Sequence, residues 1–166
     1  MLVSRSGLVT VTGGKWTTYR AMAEDVLAQC MGRGLIPSRP AGVTRTLRLA
    51  GALSGPGAAS SRKESISAPA GLHAYGVDAA VVEAMPGAER VLCDGLTEAM
   101  VRFAARHEYA MTVEDVLARR SRLLFLDARL AGQLAAQVAG ILHEETGRDP
   151  QLDAFLALAQ QYQLVP

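Results

Sequence analysis

Lys15 stands directly behind a glycine pair, Gly13 and Gly14, in the segment GLVTVTGGKWTTYR. Two adjacent glycines let a ligand approach the backbone without a Cβ in the way. A helix that starts after such a turn presents unpaired N–H groups and the positive end of its dipole. Together with the charge of the lysine, these features make the turn the part of the chain best suited to bind an anion.

A short strand and a helix must position this turn. Residues 8–11 are apolar or β-branched, which predicts a buried strand. Thr17 or Thr18 can cap the helix that follows over residues 17–31, and glycines end that helix shortly afterwards. The order of strand, glycine turn and helix therefore places the turn at the end of a sheet.

Two familiar nucleotide-binding motifs are absent from the turn. A Walker A loop needs glycine six residues before its lysine and Ser or Thr after it, where Val9 and Trp16 stand. No GxGxxG segment follows the strand. Trp16, the single tryptophan, is expected to pack at the turn rather than stack on a ligand ring. On the residues alone, an ordinary strand-to-helix turn with a solvated lysine stays open as the alternative.

Two segments of the chain match one family. GLVTVTGGKWTTYRAMAEDVL resembles the last strand, turn and helix of the flavin domain in FAD-dependent glycerol-3-phosphate dehydrogenases, where a GGK-hydrophobic-TTYR segment lies beside the isoalloxazine ring. About ninety residues downstream, HEYAMTVEDVLARRSRLLFLD is similar to the C-terminal signature of that family. The two motifs occur in the order of the family, and the resemblance covers nearly the whole chain.

The resemblance implies an oxidoreductase that removes a hydride from C2 of sn-glycerol 3-phosphate, giving dihydroxyacetone phosphate, and passes electrons from FAD to quinone. A helix N-terminus helped by Lys15 would stabilise the negative charge of reduced flavin. Lys15 is also a candidate to approach the phosphate or a hydroxyl of the substrate. No metal is implied. The residues implied to bind the cofactor are Gly13, Gly14, Lys15, Trp16, Thr17 and Thr18.

The chain is not expected to perform this reaction alone. The dinucleotide fingerprint of the family and its substrate-binding histidine and arginines lie upstream of the matching segment, and these 166 residues contain nothing like them. We expect a C-terminal segment that is inactive and free of FAD by itself, with the rest of the flavin domain as its partner in cis. A homo-oligomer and peripheral membrane contact stay open. The implied location is cytoplasmic, with the full enzyme on the cytoplasmic face of the inner membrane.

The expected fold is mainly α, in three parts. Residues 1–36 form a strand-turn-helix remnant of the flavin-binding domain. Residues 37–69 form a crossover that contains a short strand at 44–49 and a mobile loop rich in Gly, Ser and Pro. Residues 70–166 form a helical cap domain, because apolar residues recur there at helical spacing. Within it we expect Gly76 to end a first turn, a helix over residues 96–107, a helix over residues 128–145 that Asp127 caps, and a last helix that starts at Asp149 and Pro150 and turns Phe155 and Ala159 inward.

One arginine of the second motif needs a partner. Thr112 to Asp115 forms a capping-box pattern, which predicts a helix start. At 3.6 residues per turn, Arg120 falls in the middle of the apolar face of that helix. A buried arginine must be paired, and the candidates are Glu108 first and Asp127 second.

Composition narrows the class of protein. The net charge of +1 and the acidic neighbours of the RRSR cluster argue against a nucleic-acid surface. The two cysteines, Cys30 and Cys93, have no CxxC spacing and are expected to be packed thiols. Two alternatives remain, namely a stand-alone helical interaction module and the C-terminal part of an amine-oxidising flavin oxidoreductase.

Overall fold

The computed structural model describes residues 1–40, 42–52 and 71–163. They belong to two compact units, Met1–Leu49 and Ala50–Pro166. The expectation of a mainly α chain with little β-structure is confirmed. Most of the loop that we expected to be mobile lies outside the described residues.

The first unit opens with a small antiparallel hairpin. Strand β1 (Leu2–Val3) pairs with β2 (Val9–Thr10). The prediction of a buried strand over residues 8–11 is wrong, because Leu8 is 66% exposed and Val11 is 44% exposed. A strand is buried only when another layer covers its faces, and among the described residues of this unit no such layer covers β2.

Helix α1 (Tyr19–Gly32) follows a short 3-10 helix (Trp16–Thr18). Its C-terminus closes as expected at a glycine, because Gly34 has φ +69°. The N–H of Gly34 donates to the carbonyl of Met31, and the N–H of Leu35 donates to the carbonyl of Cys30, both at 3.0 Å. These two bonds satisfy carbonyls that the last helical turn leaves free.

The strand predicted over residues 44–49 is absent, because residues 44–46 form a turn and residues 47–49 have no regular structure. The amides of Thr46 and Leu47 both donate to the carbonyl of Val43, at 3.0 and 2.9 Å. The hydroxyl of Thr44 donates to the carboxylate of Glu24 and accepts from the guanidinium of Arg20. Local hydrogen bonds of threonine side chains compete with strand pairing, and the described residues offer this segment no partner strand.

The second unit holds the hydrophobic core, which is built mainly by helices between residues 98 and 162. A 3-10 helix (Leu72–Asp78) is broken at Gly76, whose φ of +58° and ψ of −123° end the first turn as predicted. The elements that follow are α2 (Ala79–Glu83), β3 (Val91–Cys93), β4 (Leu96–Thr97), α3 (Glu98–His107), a π-helix (Asp115–Arg120), α4 (Leu123–Leu126), α5 (Ala128–Thr146) and α6 (Leu152–Tyr162).

The helix predicted from residue 96 begins two residues later, because a hairpin comes first. Strands β3 and β4 pair across Asp94 and Gly95, a dipeptide typical of tight hairpin turns. Thr97 then caps α3, since its hydroxyl accepts from the N–H of Met100 at 3.3 Å. The Asp-Gly pair between two apolar runs was the available signal for this hairpin.

An ion-pair network ties α3 to α5. Arg102 contacts Glu98 at 2.5 Å and Glu145 at 2.6 Å, and Arg106 contacts Glu145 at 2.6 Å. Glu98 is the single buried charged residue of the described chain, and Arg90 also pairs with it. Every buried side-chain nitrogen or oxygen of the described residues has a hydrogen-bond partner. No buried polar atom of this network is therefore left unpaired.

Of the two remaining predicted helix starts, the one of α5 is confirmed and the one of α6 is shifted. The side chain of Asp127 caps α5 as expected, accepting from the N–H of Leu130 at 2.9 Å. Asp149 instead accepts from the N–H of Gln151, so α6 begins beyond the Asp-Pro pair that we expected to start it. No helix of the described residues is long and apolar enough to span a membrane.

Candidate functional site

The glycine turn of the first unit needs glycine for its backbone. Gly13 has φ +82° and Gly14 has φ +104°, a region that residues with a Cβ rarely adopt. Lys15 then returns to extended geometry and stands at the N-cap of the Trp16–Thr18 helix. The pair of glycines thus lies in the turn between β2, which ends at Thr10, and the short helix that begins at Trp16.

The amides of this turn are available. Those of Gly13, Gly14 and Lys15 form no hydrogen bond with another described residue. The expected cap by a threonine side chain is wrong, because the hydroxyl of Thr18 donates to the carbonyl of Lys15 at 2.9 Å and caps no amide. Unpaired amides at a helix start favour a negatively charged group.

A groove of about 550 Å³ lies beside the turn. Most of the side chains that line the groove are apolar, and Lys15 is the charged one among them. The residues that line it are Val11, Gly13, Gly14, Lys15, Trp16, Tyr19, Met22, Ala23, Val26 and Leu27. The groove therefore combines a lysine and unpaired backbone amides with a largely apolar surface.

Trp16 does not pack into the turn as we expected. Its side chain is 85% exposed, and its ring stacks on Tyr19 with centroids 5.3 Å apart and planes at 28°. The two rings form one exposed aromatic platform at the edge of the groove. Such a platform offers an apolar face for a ligand ring or for another protein segment.

The two glycines face different surroundings. A Cβ built on Gly14 would come within 2.3 Å of the side chain of Met22, whereas a Cβ on Gly13 would meet no described atom within 4 Å. The space beside Gly13 is open, so a ligand can reach the backbone there. Residues that bind a flavin edge need this kind of bare backbone and a positive group next to it, and Gly13 with Lys15 fits that requirement.

Four of the six predicted site residues meet at the groove, namely Gly13, Gly14, Lys15 and Trp16. Thr17 and Thr18 do not line it. The prediction missed the apolar wall that α1 contributes. Its signal was the spacing of Tyr19, Met22, Val26 and other groove residues along one helical face.

The second motif adopts a geometry that the sequence did not indicate. Asp115–Arg120 is a π-helix, closed by the N–H of Ser121 donating to the carbonyl of Val116 at 2.9 Å. Because a π-helix turns the chain less per residue than an α-helix, Arg120 lies at the rim of the core and keeps 28% of its side chain exposed. The prediction that Arg120 points into the core is wrong.

The partners of Arg120 follow the prediction in one of two cases. Its Nε lies 3.9 Å from Oε2 of Glu108, the first candidate. Asp127, the second candidate, caps α5 instead, and Asp115 stands 3.9 Å from Nη1 of Arg120. Among residues 1–40, 42–52 and 71–163, no group of acidic, histidine or cysteine side chains is arranged to hold a metal ion.

Comparison with known proteins identifies the family. The model of the family described as the C-terminal domain of alpha-glycerophosphate oxidase matches residues 42–152. The chain belongs to this family. The match covers most of the second unit and includes the π-helix motif, while the glycine turn lies in front of it.

The relatives extend the similarity toward the glycine turn. The chain is 34% identical over 164 residues to a mitochondrial glycerol-3-phosphate dehydrogenase of Arabidopsis thaliana, which aligns with 84% of the chain and 26% of the relative. It is 40% identical over 126 residues to glycerol-3-phosphate dehydrogenase 1 of Mycobacterium tuberculosis, covering 72% of the chain and 24% of the relative. The human mitochondrial glycerol-3-phosphate dehydrogenase is 31% identical over 167 residues, with 89% and 22% covered.

The chain spans about a quarter of the length of these relatives. No solved structure matches it. The comparisons therefore show the family of the chain and its C-terminal character.

Proposed function

We propose that this chain acts as the C-terminal part of an FAD-dependent glycerol-3-phosphate dehydrogenase, which oxidises sn-glycerol 3-phosphate to dihydroxyacetone phosphate and passes the electrons to quinone. The observation that carries the proposal is the match of residues 42–152 to the C-terminal domain of alpha-glycerophosphate oxidase. The names of the relatives support it, since all three are glycerol-3-phosphate dehydrogenases.

In this proposal the glycine turn binds the flavin. Gly13 leaves the backbone open, and the amides behind it have no partner among the described residues. Lys15 adds a positive charge, and Trp16 and Tyr19 add an aromatic surface. FAD, when bound, supplies the acceptor for the substrate hydride. The role of the chain is to place Lys15 and the free amides beside the negative charge that the reduced flavin carries. This contact lowers the free energy of the reduced state.

The division of labour along the chain is part of the proposal. Residues 1–36 would complete the flavin-binding domain, residues 37–69 would cross over, and residues 70–166 would cover the flavin domain as a cap. The exposed apolar side chains of the first unit, which include Leu2, Leu8 and Leu27, support this, because they need a covering partner. We place the full enzyme peripherally on the cytoplasmic face of the inner membrane.

The test is to express the polypeptide encoded by the open reading frame that contains Met1, including any upstream coding sequence. We expect a yellow protein whose flavin absorbance bleaches when glycerol 3-phosphate is added without oxygen. The 166-residue chain alone is expected to purify colourless and serves as the control. A frame that encodes no flavin-binding segment, or a flavin that glycerol 3-phosphate leaves oxidised, would contradict the proposal; bleaching by an amine would favour the amine-oxidising alternative.

A further inference from the structure

A short helix of the second unit carries large apolar side chains on its outer side. All four residues of α4 (Leu123–Leu126) are apolar, but Leu124 is the only buried one. Phe125 is 53% exposed and Leu126 is 75% exposed. The ring of Phe125 meets that of Tyr162 edge-on, with centroids 5.5 Å apart, and Tyr162 is 47% exposed. Phe125, Leu126 and Tyr162 together form the α4 patch.

The surroundings of the α4 patch are charged. The patch lines a groove of about 410 Å³ together with Asp127 and Arg129, and Arg122 lies directly before α4. Asp127 is engaged as the cap of α5. Arg122 and Arg129 form no salt bridge with another described residue. Aromatic and apolar side chains beside arginines are the composition of a protein–protein interface.

The backbone before α4 adopts a conformation that is unfavourable for its residue. Arg122 has φ +60° and ψ +12°, in the left-handed region, where a residue with a Cβ is strained. The helix that follows buries the side chain of Leu124 and exposes those of Phe125 and Leu126. The core of the second unit therefore gains one buried side chain from α4, and the two exposed ones require another explanation.

The size of the α4 patch argues against a second copy of the chain as its cover. An aromatic side chain presents about 150–250 Å² of surface, so the exposed parts of the three side chains add up to roughly 300 Å². A stable interface between two separate proteins buries about 800 Å² on each of them. A two-fold contact would also bring Arg122 and Arg129 toward the same arginines of the other copy.

A partner on the same polypeptide can use a patch of this size. The chain spans about a quarter of the length of its relatives, so under the proposed function most of the enzyme, including the rest of the flavin domain, lies outside these residues. A tethered partner has an effective concentration in the millimolar range. It therefore needs a smaller contact area than a separate molecule, because less freedom is lost on docking.

We propose that the α4 patch is the surface on which the upstream part of the flavin domain docks. The facing surface is expected to be apolar opposite the patch and to carry carboxylates near Arg122 and Arg129, because charges across an interface are complementary. The inference rests on the proposed function, since it requires the upstream segment. It adds the side chains through which the second unit is held.

Hydroxyl-radical footprinting, read by mass spectrometry, tests the docking because it labels exposed aromatic side chains. Phe125 and Tyr162 should react readily in the 166-residue chain. In the complete polypeptide they should react about fivefold more slowly or less, because a docked partner excludes water from them. Tyr109 of the same unit is 84% exposed and is the matched control, with the same rate in both proteins. The protection should persist when the protein is diluted about tenfold.

Leu126→Asp tests the patch by substitution. The side chain is 75% exposed, so the variant should fold normally in the 166-residue chain, which circular dichroism checks. In the complete polypeptide it should return the labelling of Phe125 and Tyr162 to the rate of the 166-residue chain, because docking would bury an unpaired carboxylate. Gln137→Asp adds the same charge to the exposed face of α5 and should leave the protection unchanged.

Three results would overturn the inference. One is labelling of Phe125 and Tyr162 at the same rate in both proteins. The second is equal protection of Tyr109, which would mean that the protection is not specific to the patch. The third is protection that is lost on dilution, which would assign the patch to a second copy of the chain.

The flavin of the same preparation separates this inference from the proposed function. A flavin that glycerol 3-phosphate bleaches, without protection of Phe125, contradicts the docking alone. Protection of Phe125 in a polypeptide whose flavin stays oxidised contradicts the proposed function alone. A reading frame that encodes no upstream flavin-binding segment contradicts both.

Discussion

The two units of the chain differ in what they bury. Among the described residues of Met1–Leu49, Cys30 is the only buried one. The unit Ala50–Pro166 has a continuous core that includes Leu117, Leu142 and Phe155, each at most 2% exposed. A unit without its own core gains little from folding alone. The difference indicates that the second unit is stabilised by its own packing, whereas the described residues of the first unit provide little packing of their own.

The largest loss of stability should follow from truncating a core residue of the second unit, compared with an apolar residue of the first. Phe155→Ala removes a ring that is 2% exposed and is expected to cost about 3–5 kcal/mol of unfolding free energy. Leu27→Ala in α1, where the side chain is 53% exposed, should change stability by less than about 0.5 kcal/mol. Urea denaturation followed by circular dichroism measures both. Equal losses would show that the first unit is packed as well as the second.

A backbone contact provides the next largest effect. Gly76 has φ +58° and ψ −123°, and a Cβ there would come within 1.9 Å of the carbonyl oxygen of Gly51. Gly76→Ala is expected to cost at least about 2–3 kcal/mol, through strain and the collision. Gly147→Ala, at φ +65° with open space around it, should cost only about 1–2 kcal/mol. Thermal unfolding distinguishes the two variants, because Gly76→Ala should lower the Tm more than Gly147→Ala. Similar decreases in Tm would mean that the backbone moves away from the new Cβ of residue 76 at no cost.

The network between α3 and α5 should make the second unit sensitive to acid. Hydrogen bonds from Arg106 and then Arg102 lower the pKa of Glu145 from 4.5 to about 2. Because the pKa is lower in the folded state, the stabilisation is complete above pH 4.5 and is lost as the pH falls toward 2. The unfolding free energy of the native chain should therefore decline as the pH is lowered across this range. The decline should be smaller in Glu145→Gln, which has no carboxyl group to protonate at this position.

The same variant has a matched control one residue away. Glu145→Gln is expected to lower stability at neutral pH by about 1–3 kcal/mol, since two arginines lose a charged partner. Glu144 pairs with Arg102 as well, but its side chain is 64% exposed. Glu144→Gln should therefore have an effect of less than about 1 kcal/mol. Equal effects would show that burial does not set the strength of these pairs.

Local signals in the sequence predicted the second unit better than the first. The capping pattern at Thr112 holds, because the hydroxyl of Thr112 accepts from the N–H of Asp115 while Asp115 accepts from the N–H of Thr112. The cap of α5 by Asp127 and the inward face of α6 with Phe155 and Ala159 also hold. These features depend on residues three or four positions apart, which the sequence displays directly.

The misses depend on longer-range contacts or on altered helical geometry. Residues 44–49 alternate like a strand but have no partner strand in the described chain, so their threonines bond locally. Arg120 was placed by a 3.6-residue period that the π-helix does not follow. At the candidate site, the order of glycines and lysine predicted the turn, but the exposure of Trp16 depends on what covers it and could not be read from neighbouring residues.

The most direct test of the central claim is the rate of flavin reduction in the complete polypeptide that carries Lys15→Ala. If the Gly13–Lys15 turn holds the flavin edge, stopped-flow reduction by glycerol 3-phosphate should slow by about tenfold to a hundredfold. Arg33→Ala, which removes a charge at the other end of α1, should leave the rate unchanged. Reduction at the native rate in Lys15→Ala would contradict the assignment of this turn to the flavin.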